Sequence, residues 1–502
     1  MSVVRLIKDP VHGYISISRE YCRLFVDTPI FQRLRLIEQT SMRCLFPGAR
    51  HDRFIHSLGV YHLASRIYKS ITENVQDHEI KALLEDTNLK NTFLVAALMH
   101  DCGHAPFSHT LEKFYNKNAD GSLHNATAKK LKEIAPMEDA GALDFFTSSI
   151  RANPPANHEV MSAYVLLSRY SKAMGKVGVA PGLAARMITG AVYVEPELDA
   201  KRHKEKLGLW EKVANVLITL VNGTALDVDK LDYIIRDTWA SGVKNTAIDM
   251  DRLVRSATIV RSVSRGEDHV CFAFKKSAIS VVQSVIDARN YLYKWIYGHH
   301  TVLYYSHLLE HAVVNFAEKY AKEYHTTAKS VLQRMFSPEM FEREVFLAKK
   351  NGLKSYLLSD ADILYFLKMV IPDDPDYVAY VSHKPHHIPL WKTALEYNNC
   401  LQSKRFSVTK MDAIRAKHHL SQDECFACED MTAKIYDLKD EDVQIEMSSG
   451  SVVPITKLVA LPKHPSLAEK QELSFCYVYL DVSRREDKEE IVKSINKLSA
   501  KR

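Results

Sequence analysis

Apolar positions recur at helical spacing through much of the first two thirds of the chain. In TPIFQRLRLIEQ (28–39), Phe31, Leu34 and Ile37 fall three apart with Arg33 and Arg35 between them, which predicts a helix. Asp27 or Thr28 can cap it, and Pro29 suits a first helical position. From Arg53 to Ile71, Leu58, Leu63, Ile67 and Ile71 repeat with the same period, and FLVAALM (93–99) predicts a buried helix ending at Cys102–Gly103. FPGA (46–49) reads as a turn, and 116–123 and 152–157 read as loops by composition. Residues 252–275 predict two strands around Ser264–Asp268, a β-hairpin. Residues 277–297 and 306–336 return to helix. From about 371 the texture changes to Pro- and His-rich, then to short strand-like pieces, KLVALP and LSFCYVYLDV (473–482), and a charged helix at about 484–500. The expected fold class is mainly α, with a β-hairpin and a smaller α+β C-terminal region. A boundary near 330 divides 1–330 from 331–502.

The chain has 502 residues, 46% hydrophobic and 25% charged, with a net charge of +6. That excess suits phosphate-bearing ligands and is too small to argue for nucleic acid by itself. No apolar run reaches the roughly 18–20 residues of a membrane span, so no membrane partner is expected. The N-terminus lacks the apolar stretch of a signal peptide. Eight cysteines without a framework suit a reducing, cytoplasmic setting. His418, His419, Cys425 and Cys428 suggest zinc, but a single CxxC is a weak signal.

Histidine placement changes the picture. HDRFIHSLGV, LMHDCGHAPFSH and LDVDKLDY put imidazoles, carboxylates and cations in three separate segments. His100 and Asp101 can converge on one ion at a helix end, and His56 and Asp229 are candidates to complete the set. Two imidazoles and two carboxylates leave open positions on Mn, Mg, Fe, Ni or Zn, where a bound water becomes a nucleophile near neutral pH.

DPVHGYI, DTPIFQRLR, FPGARHDRFIHSLGV, LMHDCGHAPFSH, LDVDKLDYIIRD and DARNYLYKWIYGH keep order and approximate spacing over residues 4 to about 325, with a fainter likeness through LEYNN (395–399). On these the chain resembles the histidine–aspartate (HD) phosphohydrolase superfamily, and within it the deoxynucleoside triphosphate triphosphohydrolases and their bacterial relatives. The likeness implies an HD-domain helical core and a metal held by His56, His100, Asp101 and Asp229. It implies proton transfer by His104 and His158 with Glu112 as orienting carboxylate, where family members carry Asp. Arg53, Lys230 and Arg289 would grip a triphosphate. Gln39, Tyr233 and Asp237 would line the sugar, Tyr297 would crowd its 2′ side, and His109 would lie beside the α-phosphate. Thr40, Tyr293 and Gly298 depart from the family pattern, which leaves base preference and deoxy-versus-ribo choice open.

The resemblance also implies a guanine-nucleotide activator site from Asp27, Gln32 and Arg35, with Arg5 on a phosphate and GTP or a dNTP as activator. The family's basic pair near LEY is replaced, with Asn398 and Gln402 at the nearest register. A homo-oligomer, dimer or tetramer, is expected. The resulting expectation is a metal-dependent dNTP triphosphohydrolase, optionally nucleotide-activated. The alternatives are another HD phosphohydrolase (a nucleotidase or phosphodiesterase) or a nucleotide-sensing or nucleic-acid-binding HD protein.

Overall fold

The computed structural model describes residues 4–116, 122–140, 156–194, 206–243, 248–264, 267–348, 352–401, 406, 408–429, 443–459 and 476–499. Most of the two expected loops, and Gln402, lie outside the described residues. Within the first loop, Asn116 ends a 3-10 turn and Ser122 opens a helix.

The chain opens with an antiparallel hairpin, β1 (Val4–Asp9) and β2 (Gly13–Ser18), closed by Gly13 at φ +77°. The site is framed by α1 (Arg53–Asn74), α2 (Thr87–Met99), α3 (Asn157–Lys176) and α4 (Val228–Ala240). Three of these begin at aspartates whose side chains accept orphan N–H groups: Asp52 from Ile55, Asp86 from Asn88 and Leu89, and Asp227 from Lys230. On α1 the periodic set Leu58, Leu63, Ile67 and Ile71 is buried, and every α2 residue from Thr92 to Met99 is buried, as the sequence predicts. The helix α2 stops at Met99, so His100 and Asp101 sit in the turn that follows rather than inside a helix.

Residues 28–39 are not one helix. Thr28, accepting from the Phe31 N–H, caps an α turn over Pro29–Gln32 that tightens to a 3-10 turn over Arg33–Leu36. The chain then extends, and Glu38 bridges Asp52. Tertiary demand overrides the periodicity: buried Arg33 donates to the carbonyls of Leu358 and His104, 2.6 Å each, and the Ile37 carbonyl accepts from the Arg53 N–H.

Strands β3 (Ala257–Ser264) and β4 (Glu267–Lys275) form the expected hairpin, preceded by a short helix, Met250–Arg255. The helices α5 (Ile279–Leu292) and α6 (His300–Glu323) follow, with the expected helical stretch broken by a π turn at Tyr293–Tyr297. Later strands include β5 (His387–Pro389), β6 (Cys425–Glu429), β7 (Gln444–Glu446), β8 (Val452–Pro454) and β9 (Cys476–Asp481). Two sheets result, ordered β8-β7-β4-β3 and β5-β9-β6. The described part of KLVALP is a 3-10 turn at Ile455–Lys457 and its exit, not a strand. The charged helix runs Lys488–Ser499.

Apolar packing joins these pieces. One core cluster runs from Ile15 to Ile455 and takes in Val331, Phe336, Ile363 and Tyr377. A second joins Tyr304, Tyr305 and Leu308 of α6 to residues of β6, β9 and the terminal helix. No helix among the described residues is long and apolar enough to cross a membrane.

Candidate active site

His56 stands in the first turn of α1, His100 and Asp101 follow the end of α2, and Asp229 stands in the first turn of α4. The fold brings all four together. His56 Nε2 lies 3.0 Å from Asp229 Oδ1 and 3.7 Å from Asp101 Oδ2, and His100 Nε2 lies 3.6 Å from Asp229 Oδ1 and 3.5 Å from Asp101 Oδ1. Each imidazole has its other nitrogen occupied. His56 Nδ1 donates to Asp232 Oδ2 at 2.7 Å, and His100 Nδ1 donates to the Ala97 carbonyl at 2.9 Å. Both partners only accept, so Nδ1 keeps its proton and Nε2 is the nitrogen that can offer a lone pair to a cation. Those two Nε2 atoms are buried and have no hydrogen-bond partner.

Buried lone pairs facing two carboxylates suit a divalent cation, and the outer hydrogen bonds match how metal-ligating imidazoles are held. Burial works against charge on His56, but Asp229 and Asp232 outweigh it and lift its pKa to about 9. The same imidazoles, with burial opposing, hold Asp229 far below the usual carboxylate range.

A second cluster adjoins this one: His104, His109, Glu112 and His158. Glu112 Oε1 accepts from His158 Nδ1 at 2.8 Å, and Oε2 accepts from His109 Nδ1 at 2.8 Å. So Glu112 orients His158, one of the two rings the resemblance pairs with it, and also His109, while it makes no bond to His104. His104 is fully buried, stacks on His158 with centroids 4.3 Å apart, and neither ring nitrogen has a partner. Burial, aided by Arg53 and His158, keeps its pKa far below 6.5, so it is neutral. Burial opposes protonation of His158 too, but the Glu112 carboxylate prevails and raises its pKa to about 9. One longer side chain than Asp lets Glu112 reach two rings from one helical turn.

The small residues of HDCGHAPFSH have a packing cause. A Cβ on Gly103 would lie 2.5 Å from the Ser162 backbone nitrogen on α3. Phe107 and Ser108 adopt φ values of 54° and 51°, a strained region that costs about 1–3 kcal/mol per residue. The strain is held by contacts: Ser108 Oγ accepts from Arg53 Nε at 2.8 Å and donates to the Glu38 carbonyl, and the Phe107 N–H donates to Asp360.

Arg53 is 3% exposed and borders the metal ligands. Its Nη1 donates to Asp101 Oδ2 at 2.6 Å and its Nη2 to the Gln39 carbonyl at 3.0 Å. Three of its five N–H groups are thereby engaged with the protein. Lys230 donates to the Asp227 carboxylate and the Gly223 carbonyl, so its charge is already balanced. Arg289 is buried rather than on a solvated helix face, 4.5 Å over the Tyr293 ring, and its charge reaches Lys230 and Tyr233. The side-chain oxygen of Gln39 is buried without a partner, as a ligand-facing group would be. Tyr297 donates to Asp237 Oδ2, and His51 Nε2 donates to Asp237 Oδ1 at 2.7 Å. His109 is the exposed member of the histidine cluster, with 63% of its side chain accessible.

The comparisons agree with this geometry. Residues 53–143 match the model of the HD domain family. The deoxynucleoside triphosphate triphosphohydrolase SAMHD1 of Bos taurus is 31% identical over 303 residues, 59% of this chain and 45% of that protein. Over residues 53–143 the chain is similar to the HD domain family.

Other relatives include the deoxynucleoside triphosphate triphosphohydrolase SAMHD1 of Gallus gallus, 30% identical over 298 residues covering 59% of this chain and 43% of that protein. The uncharacterized protein YwfO of Bacillus subtilis is 27% identical over 300 residues, 60% of this chain and 53% of that protein. The chain spans about half or less of the length of these curated relatives. A solved structure of a hypothetical protein from Aquifex aeolicus matches the fold with a TM-score of 0.57 at 18% identity, covering 98% of this chain and 100% of that one.

Sequence reasoning missed several residues of this site. Asp232 and His51 carry their neighbours' orientation, and both stood in quoted motifs, but a residue that acts through another leaves no spacing signal. The expected activator residues form two separate pairs among the described residues. Arg5 pairs with both oxygens of Asp27, at 2.7 and 2.8 Å, and Arg35 Nε donates to Gln32 Oε1 at 2.9 Å while its guanidinium lies 3.5 Å over Phe54. The zinc suggestion fails among the described residues. Cys425 and Cys428 are three apart on β6 and so point to opposite faces, and His418 bonds to Ser494.

Proposed function

We propose that this chain hydrolyses deoxynucleoside triphosphates to the deoxynucleoside and triphosphate. The observation that carries the reading is the convergence of His56, His100, Asp101 and Asp229 beside a Glu112-backed His158. Those four residues would hold a divalent cation, which would supply Lewis acidity and lower the pKa of a water. Water attacks the α-phosphorus and the Pα–O5′ bond breaks. His158, protonated below about pH 9, gives its proton to the departing 5′-oxygen. His104 resists protonation and stacks on His158, so it does not serve as the acid. Arg53 fixes Asp101 and offers its remaining N–H groups to phosphate, with Arg289 as a second cation. Gln39 and Asp237 are the sugar contacts, and Tyr297, tied to Asp237, narrows the 2′ side. Arg5, Asp27, Gln32 and Arg35 form a nucleotide activator site that promotes homo-oligomers.

A second reading follows from Lys230 and Arg53. Both spend charge on Asp227 and Asp101, which leaves less for a triphosphate and favours a monophosphate or diester hydrolase. Incubation with each dNTP and NTP, and with the corresponding monophosphates, plus Mn or Mg, with and without GTP, decides by product. Triphosphate release supports the first reading and single phosphate the second. His100→Ala should abolish either, and undiminished hydrolysis by that variant would sink both.

A further inference from the structure

His56 depends on a carboxylate that in turn depends on the chain's first hairpin. Asp232 is fully buried, one turn past Asp229 on α4. Its Oδ2 accepts from His56 Nδ1 and from Arg236 Nε, 2.7 Å each. Its Oδ1 accepts from His12 Nε2 at 2.6 Å and from Arg236 Nη2 at 3.0 Å. Arg236 continues to Asp9 Oδ2 at 2.8 Å, and Asp9 Oδ1 accepts the N–H groups of Val11 and His12 in the β1–β2 turn. Every member is at most 3% exposed at its side chain. The network passes through space that a side chain on α1 would fill. A Cβ on Gly59 would lie 2.0 Å from Asp232 Oδ1 and 2.4 Å from Arg236 Nη2. Asp9 and His12 both lie outside the matched residues 53–143.

We propose that the β1–β2 turn is an outer arm of the metal centre, in which Asp9, His12 and Arg236 lock Asp232, and Asp232 fixes His56 with its proton on Nδ1 and Nε2 toward the ion. The inference rests on the reading of His56 as a metal ligand. An ionised carboxylate offers only acceptors, so it admits a single tautomer of its imidazole partner. With four donors gripping it, Asp232 cannot rotate away, and the ring it holds keeps one orientation. These four are positioning residues and touch neither metal nor substrate.

The test uses the full chain and Mn2+ as probe, with affinity read by chelator competition and the His56 tautomer by nitrogen NMR of the metal-free protein above about pH 9, where the ring is neutral. Asp232→Asn can turn its amide N–H toward His56 Nδ1 and so favour the wrong tautomer. Mn2+ affinity should then fall about 10–100-fold with a tautomer shift at His56. Asp9→Asn leaves every ligand and Asp232 in place, and should produce a smaller loss and shift in the same direction. His12→Gln keeps a donor and should restore most of what His12→Phe loses. Wild-type affinity and an unmoved tautomer in Asp9→Asn and His12→Phe would overturn the proposal, even if Asp232→Asn does not fold. A wild-type chain that binds no Mn2+ would instead remove the metal reading, and the tautomer measurement would still decide whether the arm orients His56.

Discussion

Replacing Glu112 by Gln isolates the acid step. Glu112 holds His158 and His109 through two 2.8 Å bonds. An amide can accept from one ring but must turn its N–H toward the other, and it carries no charge. His158 then loses what lifts its pKa from 6.5 to about 9, a change worth roughly 3 kcal/mol in the protonated form. Burial still opposes the charge while Glu159 and Asp101 still favour it, so the ordinary value of 6.5 serves for the variant. At pH 8 about nine in ten wild-type His158 rings carry the proton, against about 3% in the variant, a loss of roughly 30-fold in kcat/KM. At pH 6 the loss from protonation should be under about twofold. Triphosphate release measured from pH 5.5 to 9.5 reads the difference. An equal loss at every pH, or none, would refute the assignment of His158 as the acid. The stability linkage has a fixed sign. The folded pKa of His158 is raised, so its contribution is fully present below pH 6.5 and lost as pH rises through about 9. The wild type should lose thermal stability across that window more steeply than Glu112→Gln.

Metal linkage gives a second check: Mn2+ at a hundredfold above its Kd should stabilise the wild type by about 2.7 kcal/mol and leave Asp229→Ala unmoved in calorimetry. Gly59→Ala should destabilise by about 1–3 kcal/mol, because its Cβ meets Asp232 and Arg236; a wild-type melting curve would contradict the packing. Tyr297→Ala opens the 2′ side, so the deoxy-over-ribo ratio of kcat/KM should drop about tenfold or more, and an unchanged ratio would place the sugar elsewhere. Sedimentation with GTP or dNTPs should show a mass increase that Asp27→Ala loses, since Arg5 then has no carboxylate to exchange for the ligand; constant mass would remove the activator site.

Local patterns were legible where one physical cause acts alone. The α1 and α2 helices follow their periodicity because each faces a continuous apolar core. The β3–β4 hairpin follows its turn and alternation. Residues 28–39 misled because buried Arg33 and the Glu38–Asp52 bridge bend a helical pattern into a short turn and an extended piece. The β1–β2 hairpin went unassigned, since two six-residue strands with mostly exposed alternate positions carry little apolar signal.

By itself the sequence determined which residue types could meet: imidazoles and carboxylates at helix ends, capped by aspartates that need no distant partner. The tertiary structure alone decided what each group is free to do. It commits Lys230 to Asp227, engages most of Arg53 with the protein, makes His104 neutral and His158 cationic, and ties His56 to a turn 44 residues earlier in the chain through Asp232. Ligand types follow from composition and spacing. Charge state and orientation follow from burial and from which acceptor stands behind each ring, and those are set by contacts between segments far apart along the chain.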